Sequence, residues 1–239
     1  ITPRTRMVMI NSPHNPCGSV LSAEDLDKLA EAIRGHAIVV LSDEVYEHMV
    51  FDGQVHASVL GHEELREKSF AVFSFGKTYH ATGWKLAYCV APPSFTAEFR
   101  KVHQFVTFTS VRILQDGLDA YTNACPWHAT ELASFYQAKR DRFCELLAPS
   151  RFRFMPSAGT YFQLADYSAI SDEDDMTFVT RLTREQGVAA IPLSPFYGVS
   201  THLSDDPSQT TKPESRIIRF CFCKEDATLE SAAKILCAL

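Results

Sequence analysis

Short apolar runs, separated by turns and by one amphipathic helical pattern, occupy the beginning of the chain. The first run covers residues 7–10 and stops at NSPHNPCG, whose Asn, Pro and Gly residues predict an ordered turn. Ser22 predicts a helix N-cap, because Asp25 follows three residues later and an apolar stripe starts at Leu26. The next run is AIVVL (residues 37–41), which is β-branched without polar alternation and therefore predicts a strand buried on both faces.

Two further apolar runs extend the predicted sheet. They are SFAVFSF (residues 69–75) and KLAYCVAP (residues 85–92). Strands that alternate with a helix and with short turns are typical of a parallel α/β sheet, which we predict for this part of the chain. Residues 94–147 then show helical patterns without a strand signal.

The pattern changes in the last part of the chain, where short strands and helices mix. The strand-like runs are FRFM, YFQLADY, VAAIPL and SRIIRFCFC, and helical patterns cover about residues 176–186 and the chain from about residue 227. We therefore predict a larger domain over residues 1–124 and a smaller α+β domain over residues 125–239. The polar stretch STHLSDDPSQTTKPES (residues 200–215) predicts a mobile loop.

Composition narrows the class of protein. The 239 residues are 46% hydrophobic and 22% charged, as in globular proteins, and the net charge of -6 argues against nucleic acid as the main partner. No apolar run reaches the length of a membrane span, so we expect no membrane partner.

The number and spacing of the cysteines indicate the redox state of the protein's compartment and the potential for metal binding. Their number is seven, which is odd, and it predicts reduced thiols in a cytoplasmic protein rather than a disulfide framework. Cys221 and Cys223 would share one face of a strand. No second pair of cysteines or histidines lies at ligand spacing, so we expect no metal site there.

Polar side chains follow three successive predicted strands. They are Asn15, then Asp43 with Tyr46, then Ser74 with Lys77, and Lys85 comes eight residues later. Ligands of open parallel sheets bind beyond the carboxyl ends of the strands, so one molecule could contact the whole set. The set suits a ligand with a phosphate, a basic ring nitrogen, a phenolate and an aldehyde. Taken singly, each residue also has a structural interpretation, such as a helix N-cap for Asp43 or an exposed position for Lys85.

Six stretches of sequence together carry a family resemblance. In chain order they are NSPHNPCG, SDEVYEHMVFDG, SFGKTYHATGWKLAY, PSAGTYFQLADYS, GVAAIPLSPFY and RIIRFCFCKEDATL. They resemble the fold-type I aminotransferases, and in particular the class I branch that contains kynurenine/glutamine and methionine aminotransferases. The resemblance implies the mostly parallel α/β sheet of that family's large domain, a smaller C-terminal α+β domain, pyridoxal 5'-phosphate as cofactor and a homodimer.

The resemblance also implies catalytic roles. Lys77 would bind the cofactor covalently through its aldehyde and later move the α-proton of the substrate. Asp43 would pair with the pyridine nitrogen and keep it protonated. Tyr46 would hydrogen-bond the phenolic oxygen of the ring.

Further residues would bind the cofactor and the substrate. Asn15 would join Tyr46 at the phenolic oxygen, and Ser74 and Lys85 would bind the phosphate. Arg219 would bind the α-carboxylate of the substrate with its rigid two-pronged guanidinium, whereas Arg216 has the interpretation of a solvated strand end. Three aromatic residues are either ordinary core side chains or the lining of a pocket for the substrate side chain: Tyr161, Phe196 and Tyr197.

The implied reaction is transamination between a 2-oxo acid and an amino acid of the methionine, glutamine, kynurenine or aromatic type. A β-lyase acting on cysteine S-conjugates or cystathionine remains an alternative, because the same chemistry at the α-carbon can expel a β-substituent. A non-catalytic or partner-dependent half-enzyme is another, because the family has a substantial N-terminal portion and only ten residues precede Asn11 here. We therefore expect these 239 residues to form no complete active site alone.

One stretch departs from the family pattern. The branch usually has an Asn-Thr-Pro stretch after FVTF, whereas this chain continues with TSVRILQDG. In the family this loop approaches the cofactor phosphate of the partner subunit. Arg112 would then either supplement or disturb the phosphate contacts.

Overall fold

The computed structural model describes residues 1–197 and 215–239, which form two compact units. The first unit consists of Ile1–Asn15, Ser19–Phe135 and Ala158–Thr160, and the second of Pro16–Gly18, Tyr136–Ser157 and Tyr161–Leu239. The loop predicted over residues 200–215 lies, apart from Ser215, outside the described residues.

A four-stranded sheet forms the centre of the first unit. Its strands, in spatial order, are β1 (Met7–Asn11), β2 (Val39–Asp43), β3 (Ser69–Ser74) and β4 (Ala87–Val90). The first three strands run parallel, as predicted, but β4 pairs antiparallel with β3, so the sheet is mixed. The connection between β3 and β4 contains only the four-residue helix α3 (Phe75–Thr78) and a 3₁₀ turn. A helix of that length spans about 6 Å, too short to carry the chain back along the sheet for another parallel strand.

One face of this sheet packs against an apolar cluster. Helix α1 (Ala23–Ile33) begins at the predicted cap, where Ser22 and Asp25 form a capping box. The cluster consists of Leu26, Ala30, Ile33, Ile38, Val40, Val59, Leu65, Ala71 and Phe73. Strand β2 alternates between buried and half-exposed residues, so the prediction that it is buried on both faces is wrong. The helices that contribute to the cluster are α1 and the short α2 (Glu63–Arg66), and they cover one face of β2.

Three helices follow the sheet, as the absence of a strand signal predicted. They are α4 (Pro93–Val106), α5 (Arg112–Ala124) and α6 (His128–Leu147). Neither α4 nor α5 contains a buried residue. Phe105 is 85% exposed and Ile113 is 79% exposed. The division between the two units falls inside α6, between Phe135 and Tyr136, and the domain boundary after residue 124 stays a prediction.

The second unit contains a three-stranded antiparallel sheet. Its strands, in spatial order, are β5 (Phe162–Asp166), β7 (Ile217–Cys221) and β6 (Ile191–Pro192). Its helices besides α6 are α7 (Asp175–Gln186) and α8 (Asp226–Leu236). The FRFM run predicted as a strand makes only an isolated bridge, between Arg153 and Asp166. None of the helices in the described ranges combines the length and the apolar character that crossing a membrane requires.

Candidate functional site

The ends of β1 and β2 are joined by an asparagine that the sequence analysis did not single out. Asn11 lies opposite Asp43 in the parallel register, and its side-chain amide donates a hydrogen bond to the Asp43 carbonyl oxygen at 2.8 Å. Its Oδ1 atom accepts a hydrogen bond from the backbone N–H of Asn15, also at 2.8 Å. Asn11 therefore holds the turn that carries Asn15 against the strand end that carries Asp43.

Asp43 is the last residue of β2, and its side chain is half-buried. The backbone N–H of Val45 donates to its Oδ1 atom at 3.3 Å. Burial raises the pKa of Asp43, while the hydrogen bond from Val45 and the positive charge of Lys77 oppose that shift. A second positive charge beside this carboxylate would stabilise its ionised form.

Lys77 lies in α3, directly after β3, and its amine is close to an aromatic ring. The Nζ atom is 5.7 Å from the centre of the Tyr46 ring, and Tyr46 is only 2% exposed. Ser74 precedes α3 as its N-cap residue, but its hydroxyl group makes no capping hydrogen bond. The structure thus brings Lys77, Tyr46 and Asp43 together at the carboxyl edge of the parallel strands.

Gly76 allows α3 to pack closely against the turn that follows it. A Cβ atom at Gly76 would lie 2.9 Å from the Thr82 Cα atom and 3.1 Å from the Ala81 carbonyl oxygen. Both neighbours are backbone atoms, so neither can move aside without shifting the turn. This close approach fixes the backbone next to Lys77.

Lys85 is less tightly placed than the other predicted residues. Its side chain is exposed, and its backbone is left-handed with φ 56°. Among the described residues there is no hydrogen bond from Lys85 to Ser74 or Lys77. Lys85 is therefore not hydrogen-bonded to Ser74, the other residue of the predicted phosphate-binding pair.

A buried carboxylate lies next to Asp43, and sequence reasoning missed it. Glu44 is 1% exposed, and its Oε2 atom is 2.7 Å from His56 Nε2. Its Oε1 atom accepts hydrogen bonds from the Ser42 hydroxyl at 2.8 Å and from the Val59 backbone N–H at 3.1 Å. Although burial opposes it, hydrogen bonding led by His56 lowers the pKa of Glu44. Glu44 therefore stays ionised and anchors the chain immediately after Asp43.

His128, at the start of α6, binds the helix that carries Lys77. Its Nε2 atom is 2.8 Å from the Thr78 carbonyl oxygen, and its Nδ1 atom is 3.0 Å from the Tyr121 hydroxyl. Because a carbonyl oxygen can only accept, Nε2 carries a hydrogen and donates it to Thr78. No local sequence signal distinguishes this histidine from the other eight.

Arg219 belongs to the second unit, where it occupies the centre of β7. Its residue partners are Leu164 on β5 and Ile191 on β6. The guanidinium carbon is 4.0 Å from the centre of the Phe162 ring and 5.7 Å from that of Phe196. The side chain is therefore held on aromatic faces.

Two other arginines from the sequence analysis are paired with carboxylates. Arg216 Nη1 is 2.5 Å from Asp172 Oδ1, and Arg112 Nε is 2.6 Å from Asp116 Oδ1 within α5.

Tyr161, which was a candidate for the substrate pocket, is buried, and the centre of its ring lies 5.6 Å from the centre of the Tyr136 ring.

A cavity of about 290 Å³ opens in the first unit beside Phe75. The lining residues are Phe75, Leu86, Ala87, Ser110, Gln115, Leu118, Asp119 and Thr122, and none of them is a predicted cofactor residue. The candidate site is thus defined by its set of side chains and not by this cavity.

Comparison with known proteins gives consistent results. Residues 1–236 match the sequence profile of the family described as aminotransferase class I and II. Methionine aminotransferase of Escherichia coli is 49% identical over 236 residues, which are 99% of this chain and 58% of that protein. Kynurenine–oxoglutarate transaminase of Dictyostelium discoideum is 33% identical, over 97% of this chain and 56% of that protein. The chain spans less than two thirds of the length of these relatives.

Solved structures resemble the fold equally well. An Escherichia coli protein for which a methionine aminotransferase function was identified superposes with a TM-score of 0.90 at 49% identity, covering 100% of this chain and 59% of that one. N-succinyldiaminopimelate aminotransferase from Mycobacterium tuberculosis superposes with a TM-score of 0.87 at 35% identity, with the same coverage.

Proposed function

The chain belongs to the family of class I and II aminotransferases, and from this premise we propose that it catalyses transfer of an amino group between an amino acid and a 2-oxo acid with pyridoxal 5'-phosphate. The observation that carries the proposal is the position of Lys77 beside Tyr46, with Asp43 at the end of the neighbouring strand. A primary amine, a phenol and a half-buried carboxylate are the side chains that this cofactor needs for its aldehyde, its phenolic oxygen and its ring nitrogen.

The residues fit pyridoxal 5'-phosphate in charge as well as in type. The pKa of Asp43 is raised by burial, and the charge of Lys77 only partly opposes this effect. A protonated ring nitrogen would bring a further positive charge to Asp43 and favour its carboxylate form. The Asn11 side chain already holds the backbone of Asp43 and the backbone of Asn15.

When bound, pyridoxal 5'-phosphate supplies an aldehyde that takes up the amino group and a ring that stabilises negative charge at the substrate α-carbon. Lys77 would provide the amine that binds the aldehyde and the base that moves the α-proton. The hydroxyl of Tyr46 and the side-chain amide of Asn15 would donate to the phenolic oxygen. The Ser74 hydroxyl and the Lys85 ammonium group would bind the phosphate.

Arg219 would bind the α-carboxylate that all substrates of this reaction share. The guanidinium carbon lies 4.0 Å from the centre of the Phe162 ring, and a guanidinium can bind a carboxylate through two N–H donors. Arg219→Lys should therefore weaken the binding of amino acids and 2-oxo acids alike, while cofactor retention stays unchanged. The matched control is Arg216→Lys, which changes an arginine engaged by Asp172. Equal losses in both variants would contradict the assignment.

The proposed amino-acid substrate has a methionine, glutamine, kynurenine or aromatic side chain. Support comes from the relatives, which include a methionine aminotransferase and kynurenine–oxoglutarate transaminases. Phe196 supports an apolar or aromatic side chain, because its ring lies 5.7 Å from the Arg219 guanidinium carbon and would adjoin a substrate bound there.

Covalent labelling tests the function directly. Purified protein is incubated with pyridoxal 5'-phosphate, reduced with borohydride, digested and analysed by mass spectrometry. We expect the label on Lys77, and we expect Lys77→Ala to lose it. Lys101→Ala is the control, since that lysine is exposed and paired with Glu98. Labelling of Lys85 or Lys101 in place of Lys77 would overturn the assignment.

We also propose a cytoplasmic homodimer. All seven cysteines are free thiols, in keeping with a reducing compartment. The exposed Phe105, Val106 and Ile113 on α4 and α5 support association, because such apolar side chains are normally covered. Sedimentation velocity should give twice the mass of one chain, and a monomer at micromolar concentration would contradict this part of the proposal.

A further inference from the structure

Two cysteine side chains meet at the end of β7. Cys221 is the last residue of the strand, and its Sγ atom is 3.1 Å from that of Cys223. The backbone N–H of Lys224 donates to the Phe222 carbonyl oxygen at 2.8 Å, so the chain turns tightly around Cys223. Phe222 is fully buried, whereas both cysteines are partly exposed. The two thiols thus lie together, and neither cysteine is fully buried.

We propose that Cys221 and Cys223 form an oxidisable dithiol, which hydrogen peroxide converts into an intramolecular disulfide. A disulfide needs Cα atoms less than about 7 Å apart and a sulfur–sulfur distance of about 2.0 Å. Residues two apart in an extended chain are within about 7 Å at their Cα atoms. The two sulfurs are already 3.1 Å apart, so rotation of the side chains is sufficient to bring them to bonding distance.

The environment of the pair favours reaction at Cys221. Either thiol can donate the hydrogen bond between the two sulfurs, and donation by Cys223 is the main reason that the pKa of Cys221 is lowered to about 6. The backbone N–H of Cys223 and the positive charges of Lys224 and Arg219 act in the same direction, against burial. The same contact, together with burial, raises the pKa of the Cys223 thiol. Cys221 is therefore the more readily ionised thiol of the pair, and Cys223 is the one that more readily keeps its proton.

The oxidation balances in two steps. The Cys221 thiolate attacks hydrogen peroxide, the O–O bond breaks, and a sulfenic acid and a hydroxide ion form. Cys223 gives its proton to the hydroxide and attacks the sulfenic sulfur, so that the S–S bond forms as the S–O bond breaks and hydroxide leaves to be protonated by solvent. Two thiols lose two electrons, and one peroxide becomes two waters.

The neighbouring arginine connects this pair to the proposed substrate site. Strand β7 alternates, with Ile218 and Phe220 buried, so that Arg219 and Cys221 share the other face. The charge of Arg219 helps to lower the pKa of Cys221, and by linkage a carboxylate bound at Arg219 raises it again. Substrate should consequently slow the oxidation, and disulfide formation, which removes the negative charge of the Cys221 thiolate beside Arg219, should strengthen carboxylate binding. This consequence rests on the proposed function, whereas disulfide formation does not.

Peptide mapping tests the proposal on the whole reduced protein. Trypsin cuts after Arg219 and after Lys224, so both cysteines fall on the single peptide FCFCK. After brief treatment with peroxide and alkylation of the remaining thiols, we expect this peptide unalkylated and lighter by two hydrogen atoms. Cys223→Ser should instead give a sulfenic acid on Cys221 that dimedone traps. The internal control is Cys144, whose pKa burial raises to about 11. Cys221 should react at least about tenfold faster than Cys144 because its thiolate fraction is far larger.

The outcomes distinguish the dithiol proposal from the proposed role of Arg219 in binding carboxylates. If both cysteines of FCFCK are alkylated under conditions that oxidise Cys144, or if only sulfinic acid forms, the dithiol proposal is wrong. If the disulfide forms but a 2-oxo acid neither slows it nor binds more tightly afterwards, the dithiol stands and the role of Arg219 in binding carboxylates is wrong. In the double variant Cys221→Ser, Cys223→Ser, which forms neither the thiolate nor the disulfide, binding of the 2-oxo acid should be the same with and without peroxide.

Discussion

Replacing the buried Glu44 by glutamine should destabilise the first unit, although the two side chains have nearly the same shape. The glutamine oxygen can keep the hydrogen bonds from Ser42 and Val59. Its NH₂ group, however, then faces His56 Nε2, where the carboxylate oxygen now lies at 2.7 Å. The two groups can bond only if Nε2 becomes the acceptor, which moves the ring hydrogen to Nδ1. That atom is buried and has no hydrogen-bond partner in the structure.

The expected loss of unfolding free energy follows from the number of hydrogen-bond donors that the substitution leaves without a partner. One buried N–H without a partner costs about 1–3 kcal/mol, so Glu44→Gln should lose about 2 kcal/mol of unfolding free energy. At about 2–4 °C per kcal/mol for a chain of this size, the melting temperature should fall by about 4–8 °C. Glu44→Ala removes the acceptor for His56, Ser42 and Val59 together and should cost about 3–5 kcal/mol.

The assay is urea unfolding followed by circular dichroism at several pH values. The folded-state pKa of Glu44 lies below its ordinary value, so its stabilisation is complete above the unfolded-state pKa and is lost as pH falls through the folded-state pKa. The difference between wild type and Glu44→Gln should therefore be constant from pH 7 to about pH 5 and shrink below about pH 4.3. Glu24→Gln is the matched control, because Glu24 is an exposed partner of Lys28 on α1, and it should be indistinguishable from wild type. Unchanged stability of Glu44→Gln, or a difference that grows in acid, would refute the reasoning.

Two further substitutions test the surroundings of Lys77. Gly76→Ala should lower the free energy of unfolding by about 1–3 kcal/mol and slow labelling of Lys77, because the new Cβ would lie 2.9 Å from the Thr82 Cα atom. Gly83→Ala is the control, since a Cβ there has open space around it, and it should change neither quantity. Equal effects of the two substitutions in urea titrations and borohydride labelling would contradict this prediction. His128→Leu should cost about 1 kcal/mol by removing the donor to the Thr78 carbonyl. Native-state hydrogen exchange should show faster opening of α3 in this variant, and unchanged exchange would count against the contact.

Patterns within a few residues were sufficient to predict the elements that carry the candidate site. The apolar runs of β1 and β3 and the capping box of α1 depend on neighbours in the chain, and the structure contains all three. Because parallel strands bring their carboxyl ends to one edge, the sequence also predicted that Asp43 and Lys77 would lie near each other. The antiparallel direction of β4 was not predicted, because an apolar run looks the same whichever way its strand pairs.

What the sequence determined by itself was the family and the set of polar groups at the strand ends, since both depend on residue type and order. The tertiary structure alone decided which polar residues became buried partners. Glu44 meets His56 across twelve positions, and Asn11 reaches Asp43 across thirty-two. Cys221 and Cys223 were expected to share a strand face, but their 3.1 Å contact depends on the turn after β7. Such contacts form only after distant segments or a particular backbone turn bring the side chains together. The free energy of a buried polar group depends on the atoms that then surround it, and not on its neighbours in the chain.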